Sequence, residues 1–396
     1  MSGLADRPPA RRIGSFVTDP RFRALALQTT AVIAVVWFAW MFLDNARQNL
    51  AAQNVASGFG FFEQTAGFGI GQTLIPYSES STYARAFLVG LLNTLLVSAL
   101  GIVFATVIGF AVGIARLSSN ILLARLAGAY VEALRNLPLL FQIMFWYLAV
   151  LGTLPGPRES EPLFGVIYLT NRGVLLPRIE FAPGIGLVFA ALAVGVLLAG
   201  ALRVWARRHQ AATGAIIPWA RFAFLLVVGL PALAFLAAGA PISIELPELR
   251  GFNFIGGMRV NPEFLALLFA LSTYTASFIA EIVRAGFLAV PRGQLEAANS
   301  LGLRRRATLR LIVAPQAMRL IVPPLTSQYL NLTKNSSLAA AIGYPDFFYV
   351  FAGTTLNQTG QAIEIIAVTM AVYLAISLVT SAFMNWYNRA VALKGG

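Results

Sequence analysis

Long apolar stretches dominate this sequence of 396 residues. A helix needs about 20 mostly apolar residues to cross a hydrocarbon core roughly 30 Å thick. Eight stretches approach that length and composition, and they lie at residues 24–43, 86–115, 127–151, 184–204, 218–239, 264–287, 320–342 and 364–387. Because only 11% of the residues are charged, we predict an all-α, polytopic membrane protein with about eight transmembrane helices.

The arginines predict how these helices are oriented, because short cytoplasmic loops retain Lys and Arg. They cluster in the N-terminal tail and in alternate connections, at Arg7, Arg11, Arg12, Arg21, Arg23, Arg116, Arg125, Arg203, Arg207, Arg208, Arg292, Arg304, Arg305, Arg306, Arg310 and Arg319. The opposite side carries seven arginines against eleven acidic residues. The net charge of +13 is therefore interpreted as a signal for a membrane orientation with both termini cytoplasmic. No segment suggests a folded basic domain for nucleic acid.

Several chemistries are excluded by residue counts. The chain has no Cys, and His209 is its only histidine, so disulfides, thiolate sites and multi-histidine metal clusters cannot form. We accordingly predict no metal site and no catalytic residue. A P-loop needs a lysine after its glycines, and neither lysine, Lys334 nor Lys394, has glycines in the required places. The chain therefore cannot hydrolyse ATP by that motif.

The connection at residues 288–319 has a specific order of helix signals. Pro291 can open a short helix, and Gly302 can supply the turn that ends it. Between them, Glu296 offers one charge, while Ala297 and Ala298 leave a smooth face that another backbone can approach. Short helices are commonly recognised by grooves on partner proteins. An ordinary amphipathic connector is the simpler interpretation of the Glu-Ala-Ala triplet taken alone.

The wider spacing resembles a known family. Glu296-Ala297-Ala298, Gly302, Ile312 and Pro315 are similar in type and spacing to the EAA loop of the membrane subunits of bacterial ATP-binding-cassette importers. The flanking segments at 280–286 and 315–338 resemble the polar amino-acid permeases, and 341–346 resembles their general L-amino-acid branch. The chain departs from the usual five-span core by three extra spans, the first, fourth and fifth.

The resemblance implies the function and the partners. This chain would be the permease subunit of an ATP-driven importer of L-amino acids, with the permease fold of that family and a coupling role for the EAA loop. Its partners would be a second homologous permease, an ATPase dimer, a periplasmic amino-acid-binding protein and membrane lipid. The subunit itself would bind no cofactor, because ATP and Mg would be used by the partner ATPase.

We predict three regions along the chain. Residues 1–85 form a cytoplasmic tail, a first transmembrane anchor and a periplasmic loop. Residues 86–388 form the permease domain, with a two-span insertion at about 152–262 and the coupling loop at about 288–319. Residues 389–396 form a short tail. The Gly-rich and Pro-rich connections at 44–85 and 152–183 are interpreted as exterior loops.

The seventh predicted span is unusually polar and begins with two prolines, Pro323 and Pro324, which predict a break or kink. Burying its polar groups in lipid would be costly, so this segment is expected to face protein or a wet cavity. Its candidate residues for a translocation path are Gln328, Asn331, Lys334, Asn335, Ser336 and Ser337. Lys334 could face a substrate carboxylate or form an interhelical salt bridge, and the sequence leaves both open.

Smaller features are interpreted structurally. Glu281 and Arg284, and likewise Glu132 and Arg135, are three residues apart and are predicted to form structural ion pairs or a gate. Gly109 and Gly113 form a GxxxG pattern that is typical of close helix packing. The arginine run at 304–306 could contact lipid headgroups or an ATPase.

Two other classes of function remain as alternatives. An ion-coupled secondary transporter would use intramembrane acids and inverted repeats, but no such repeat is evident and few carboxylates are embedded. A membrane-embedded enzyme would need a catalytic cluster, which the residue counts make difficult to build.

Overall fold

The computed structural model describes residues 20–52 and 58–391, which are mostly helical, at 71%. Thirteen α-helices are present there: α1 Pro20–Ala52, α2 Tyr83–Ala115, α3 Ile121–Asn136, α4 Leu139–Met144, α5 Ile185–Thr213, α6 Trp219–Phe224, α7 Leu230–Ala237, α8 Pro262–Leu288, α9 Arg292–Ser300, α10 Arg305–Thr308, α11 Ala314–Asn335, α12 Leu356–Thr359 and α13 Ala362–Val391. The predicted tail arginines Arg7, Arg11 and Arg12, and residues 392–396 of the C-terminal tail, lie outside the described residues.

Tighter or wider helical turns join several of these helices. Four π-helical segments lie at Phe145–Leu151, Leu225–Gly229, Leu309–Val313 and Phe348–Thr355, and two 3-10 segments lie at Gly60–Glu63 and Ser336–Ile342. The π-helical segments extend α4, join α6 to α7, join α10 to α11 and lead into α12.

Six spans in the described part of the chain are long and apolar enough to cross a membrane, and a bent pair makes a seventh if counted as one span. The six are Arg23–Phe42, Tyr83–Ala115, Ile185–Thr213, Trp219–Ala237, Pro262–Leu288 and Ala362–Arg389. The predicted span at 320–342 is not among them. Its α-helix, α11, ends at Asn335, carries many polar residues, and gives way to a 3-10 turn.

The predicted span at 127–151 is bent rather than straight, because the chain turns by 106° between α3 and the segment Leu139–Leu151. Pro138 disfavours helical backbone in the residue before it, and Leu137 is extended with φ −94° and ψ 131°. The Gln142 side-chain amide donates to the carbonyl oxygens of Leu134 and Leu137 at 2.9 and 3.0 Å. One side chain thus satisfies carbonyls that the end of α3 leaves without helical partners.

The helix does not break at Pro323 and Pro324, where the sequence predicts a break or kink, because α11 continues through both prolines to Asn335. A proline inside a helix removes one backbone hydrogen bond, and helices packed in a membrane protein tolerate that loss when neighbouring groups compensate. The change of backbone occurs later, where α11 becomes 3-10 helix at Ser336.

The insertion between α4 and α8 contains β-structure that the all-α prediction omitted. A four-stranded antiparallel sheet has the order β1 (Pro162–Leu163), β2 (Ile167–Thr170), β3 (Gly173–Leu176) and β8 (Met258–Val260). Two further antiparallel pairs are β4 (Arg178–Phe181) with β5 (Ile242–Glu245), and β6 (Glu248–Arg250) with β7 (Asn253–Ile255). The connection at 152–183 is therefore a folded element rather than an irregular loop.

Strand pairing brings the two ends of the inserted helices together. Arg178 pairs with Glu245 across β4 and β5, and Val174 pairs with Val260 across β3 and β8. The segments before α5 and after α7 consequently lie on the same side of these helices. Gly173 permits the approach of β8, because a Cβ there would be 2.2 Å from the carbonyl oxygen of Val260.

Helix α8 is the central helix of the compact unit that contains, of the described residues, Leu91–Asp346 and 377–391. Two-thirds of its apolar span, 67%, is buried. Glycines allow its neighbours to approach: a Cβ at Gly109 or Gly113 of α2 would lie 2.6 Å from Ile279 or 2.8 Å from the Ala280 carbonyl oxygen. The GxxxG pattern therefore packs α2 against α8, as its spacing predicted.

We expect Gly286→Val to destabilise this core. A Cβ at Gly286 of α8 would lie 2.4 Å from Cγ1 of Ile321 on α11, and overpacking of this kind typically costs about 1–3 kcal/mol. The measurement is the melting temperature of the purified chain in detergent. Gly200→Val is the matched control, because no atom lies within 4 Å of a Cβ built at Gly200. Equal melting temperatures for the two variants would contradict the packing described.

The second compact unit contains, of the described residues, 20–52, 58–90 and Phe347–Ile376 and is built on an aromatic cluster. Its members are Phe61, Phe62, Phe87, Phe347 and Phe351, with ring centroids 4.6–6.1 Å apart. The backbone N–H of Gly58 donates to the Glu364 carboxylate at 2.6 Å. The described part of the predicted exterior loop is thus packed, with Phe61 fully buried.

Candidate functional site

The predicted short helix in the connection after α8 is present as α9. Pro291 is its N-cap residue, and Gly302 follows its end in the left-handed conformation with φ +68°. The N–H of Leu303 donates to the Ala298 carbonyl at 3.1 Å, and that of Gly302 donates to Asn299 at 2.9 Å. This pair of bonds is the Schellman motif, which needs a residue that tolerates positive φ. Gly302 therefore fixes both the end of α9 and the direction of the chain after it.

The structure separates the two alanines of α9. Ala297 is exposed together with Leu295 and Glu296, whereas Ala298 is 1% exposed and packs inward. The free surface of the helix thus combines a carboxylate, a methyl group and the Leu295 side chain.

The remaining residues of the EAA spacing lie beyond the turn at Gly302. Ile312 is half-buried in the π-helical segment, and Pro315 is exposed near the start of α11. A side-chain hydrogen bond of 3.4 Å from Gln316 Nε2 to Gln294 Oε1 links α11 to α9. This bond and the π-helical segment Leu309–Val313 connect α9 to α11.

Helix α11 has two contrasting faces. Its buried face is apolar and includes Ile321, Val322, Leu325 and Leu332. The opposite face is polar: Ser327, Asn331 and Lys334 are exposed, and Gln328 and Asn335 are half-buried. We call these last five residues the polar face of α11. Their spacing of three or four positions places them on one side of the helix.

Two of the six candidate path residues are not part of the polar face. Ser336 is fully buried, and its hydroxyl donates to the Thr333 carbonyl at 2.8 Å. The half-buried Ser337 hydroxyl donates to the Lys334 carbonyl at 2.8 Å. Both hydroxyl groups therefore donate their protons to backbone carbonyl oxygens, as is common for serine near a helix end.

Glu281 is bound by two arginines. Arg284 donates to its Oε1 through Nη2 at 2.6 Å, and Arg116, just beyond α2, forms an ion pair with its other oxygen. The carboxylate therefore links α2 to α8. Arg116 was not recognised as part of this pair from the sequence, although its place directly after a long apolar helix is a signal.

The pair proposed between Glu132 and Arg135 is not formed in the described part of the chain, where both side chains are exposed. The Arg135 guanidinium instead lies 5.0 Å from the centroid of the Phe278 ring on α8. A cation over an aromatic face is favourable. This arginine therefore contributes to packing between α3 and α8.

Polar contacts missed by the sequence analysis tie α2 to later segments. Tyr329 donates to Thr106 Oγ1 at 2.9 Å, because the Thr106 proton is already used on the Ile102 carbonyl. The Asn93 amide donates to the Pro345 carbonyl at 2.9 Å, and the buried Tyr344 hydroxyl donates to the Asn93 carbonyl at 3.2 Å. Segments 91–94 and 341–346 are thus in contact.

The chain is similar in sequence to known membrane proteins of transport systems. Residues 105–393 match the family described as binding-protein-dependent transport system inner membrane component. The chain is 52% identical over 379 residues to the general L-amino acid transport system permease protein AapQ of Rhizobium johnstonii, covering 96% of this chain and 94% of that protein. It is 52% identical over 375 residues to the putative amino-acid ABC transporter permease protein YhdX of Escherichia coli, covering 95% of each.

A third relative is described with a narrower range of substrates. The chain is 41% identical over 425 aligned positions, covering 99% of each protein, to BztB of Rhodobacter capsulatus. BztB is described as a glutamate/glutamine/aspartate/asparagine transport system permease protein.

Proposed function

The chain belongs to the family of binding-protein-dependent transport system inner membrane components, and we therefore propose that it is the permease subunit of an ATP-driven importer of L-amino acids. The observation that carries the proposal is α9, a short helix with an exposed carboxylate and methyl face whose direction is fixed by the turn at Gly302. The relatives AapQ, YhdX and BztB are described as permeases of amino-acid transport systems, which supports amino acids as the substrate class.

In this proposal α9 docks against an ATPase dimer. The ATPases bind ATP and Mg and supply the energy, since this chain contains no P-loop. Closure of the dimer displaces α9 as a rigid body, and the Gln294–Gln316 contact passes the displacement to α11. The spans then alternate between outward and inward openings.

The polar face of α11 is proposed to face the translocation path and a second permease. A neutral amide row with one ammonium group suits a zwitterion, because the amides of Gln328, Asn331 and Asn335 can bond either end, while Lys334 attracts the carboxylate. The same groups would be poorly accommodated by lipid. A second permease with a similar helix would enclose the path.

A periplasmic binding protein would deliver the amino acid to the side that carries the strands of the insertion. This follows from the arginine distribution, which assigns both termini and α9 to the cytoplasmic side. The strands that precede α5 in the chain pair with strands that follow α7, so both sets lie at the same end of the inserted helices. This placement agrees with that assignment.

Reconstitution tests the proposal. The full-length chain is co-expressed with its genomic neighbours, purified by a tag on this chain, and placed in proteoliposomes. We expect a P-loop ATPase to co-purify and ATP to drive uptake of labelled L-amino acids when the binding protein is added. Competition by acidic, basic and neutral amino acids then defines the range. Uptake driven by a proton or sodium gradient without ATP would favour the secondary-transporter alternative instead.

A further inference from the structure

A pocket beside the coupling loop has a composition that the transport proposal does not use. It lies between the end of α2, the start of α3, the end of α8 and the α10–α11 segment, and its volume is about 590 Å³. Three arginines are among its lining residues, Arg305, Arg306 and Arg310. We call it the arginine pocket.

The positive charge of the arginine pocket is not neutralised by the chain itself. No acidic side chain lines the pocket, and none of its three arginines forms an ion pair with another residue in ranges 20–52 and 58–391. Glu281 of α8 is bound by Arg116 and Arg284. A cluster of three exposed, like-charged groups favours an anionic ligand.

Hydroxyl groups complete the polar end of the arginine pocket. Ser118 and Ser119, in the turn between α2 and α3, both line it. Ser118 Oγ accepts the N–H of Asn120 at 3.1 Å and keeps its own proton to donate. Guanidinium and hydroxyl donors together are the usual ligands of a phosphate oxygen.

The other side of the arginine pocket is apolar and continues along a helix. Leu123, Phe287 and Leu309 form this side, together with Ile114 of α2. Ile114 ends an exposed row on one face of α2 that also contains Val103, Val107 and Ala111. We call this row the α2 stripe.

The α2 stripe has the length of a lipid chain. Its eleven-residue separation from Val103 to Ile114 corresponds to about 16 Å of helix. Half of the hydrocarbon core is roughly 15 Å thick. The arginines therefore match the position of a lipid headgroup, and the α2 stripe matches the length of an acyl chain in one leaflet.

We propose that the arginine pocket binds an anionic phospholipid, with its phosphate on Arg305, Arg306 and Arg310 and an acyl chain along the α2 stripe. Free phosphate would use only the polar end and leave the apolar side uncovered. A phospholipid covers both ends, and basic pockets between membrane helices are suited to such headgroups. Arg310 belongs to the π-helical segment Leu309–Val313, which joins α10 to α11. A bound lipid would therefore hold this segment, which follows α9 and α10 in the chain, at the membrane surface.

Native mass spectrometry of the full-length, delipidated chain tests this site without any ATPase. The probes are palmitoyl-oleoyl phosphatidylglycerol and, for comparison, palmitoyl-oleoyl phosphatidylcholine. We expect preferential retention of phosphatidylglycerol. Each arginine near an anionic headgroup strengthens binding roughly fivefold, so the triple variant R305Q, R306Q, R310Q is expected to weaken it on the order of 100-fold. R310Q alone is expected to weaken it about fivefold.

A matched control removes the same charge elsewhere. The triple variant R207Q, R208Q, R221Q lowers the net charge equally at exposed positions outside the arginine pocket, and it is expected to retain phosphatidylglycerol like the wild type. Unchanged retention of phosphatidylcholine by all variants reports an intact fold.

Three results would overturn the proposal. Equal retention of the two lipids by the wild type would remove the headgroup preference. Displacement of phosphatidylglycerol by inorganic phosphate would identify a free-phosphate site. Normal lipid retention by R305Q, R306Q, R310Q, with loss of ATPase co-purification, would make the arginines a protein contact. None of these results depends on whether the chain transports amino acids.

Discussion

Glu296→Lys combined with Gly302→Val is expected to lower ATP-driven amino-acid uptake at least tenfold while ATP hydrolysis by the partner continues. Lysine reverses the exposed charge on α9, and valine cannot easily adopt the φ of +68° found at Gly302. A left-handed conformation costs an ordinary residue about 1–2 kcal/mol, and a β-branched residue is less tolerant still. The helix end would rearrange, and ATPase closure would no longer be passed to α11.

The measurement is the ratio of amino acid imported to ATP hydrolysed in proteoliposomes. We expect uptake to fall at least tenfold, which corresponds to roughly 1.4 kcal/mol of lost coupling. Since no atom of the described chain lies within 4 Å of a Cβ built at Gly302, valine changes the backbone conformation there without a clash inside this chain.

Gly302→Asn is the matched control for this prediction. Asparagine tolerates the left-handed conformation far better than valine and places its side chain in the same open space. Near-normal uptake is expected for Gly302→Asn and a large loss for Gly302→Val alone. Equal uptake by both variants, or wild-type uptake by the double variant, would contradict a coupling role for this turn.

The sequence predicted α9 well because its signals are local. Pro291 and Gly302 act on their own backbone, so a proline that opens a helix and a glycine that closes it can be identified without tertiary information. The orientation of Ala297 and Ala298 is different. Which methyl group points inward depends on how α9 packs against the rest of the chain, and the triplet itself does not contain that information.

The bend at Pro138 shows how an apolar average can hide a local signal. Residues 127–151 are apolar enough for one span, but a single Leu137–Pro138 step turns the chain by 106°. Pro323 and Pro324 have the opposite outcome, because α11 continues through both. The difference follows from context: the residues after Pro138 leave the axis of α3, whereas Ile321, Val322 and Leu325 hold α11 in the core.

The strands of the insertion could not be predicted from local pattern. Each has two to four residues, and β3 pairs with β8 across the whole of α5, α6 and α7. Such pairing depends on how the intervening helices return the chain to the same side, which periodicity over a short window does not describe. Cross-strand pairs such as Arg178 with Glu245 are apparent only after that register is known.

Lys334→Met is expected to lower uptake at least tenfold, or roughly 1.4 kcal/mol, without changing basal ATP hydrolysis. Lys334 is exposed on the polar face of α11 and has no ion-pair partner in the described part of the chain. Methionine has a similar length but no charge. If the ammonium group attracts the substrate carboxylate, its loss raises KM for amino acids, whereas Lys334→Arg preserves the charge and restores much of the uptake.

Thr333→Val is the matched control on the neighbouring position. Thr333 lies on the buried face of α11, and its hydroxyl donates to the Tyr329 carbonyl at 3.0 Å. Valine has nearly the same side-chain shape as threonine and removes only this one intrahelical hydrogen bond. Its uptake is expected to stay close to wild type. If Lys334→Met instead disrupts association with the second permease, as seen by gel filtration of the complex, Lys334 forms an intersubunit salt bridge. Wild-type uptake and assembly in Lys334→Met would exclude both roles, since an unpaired ammonium group would then face bulk water.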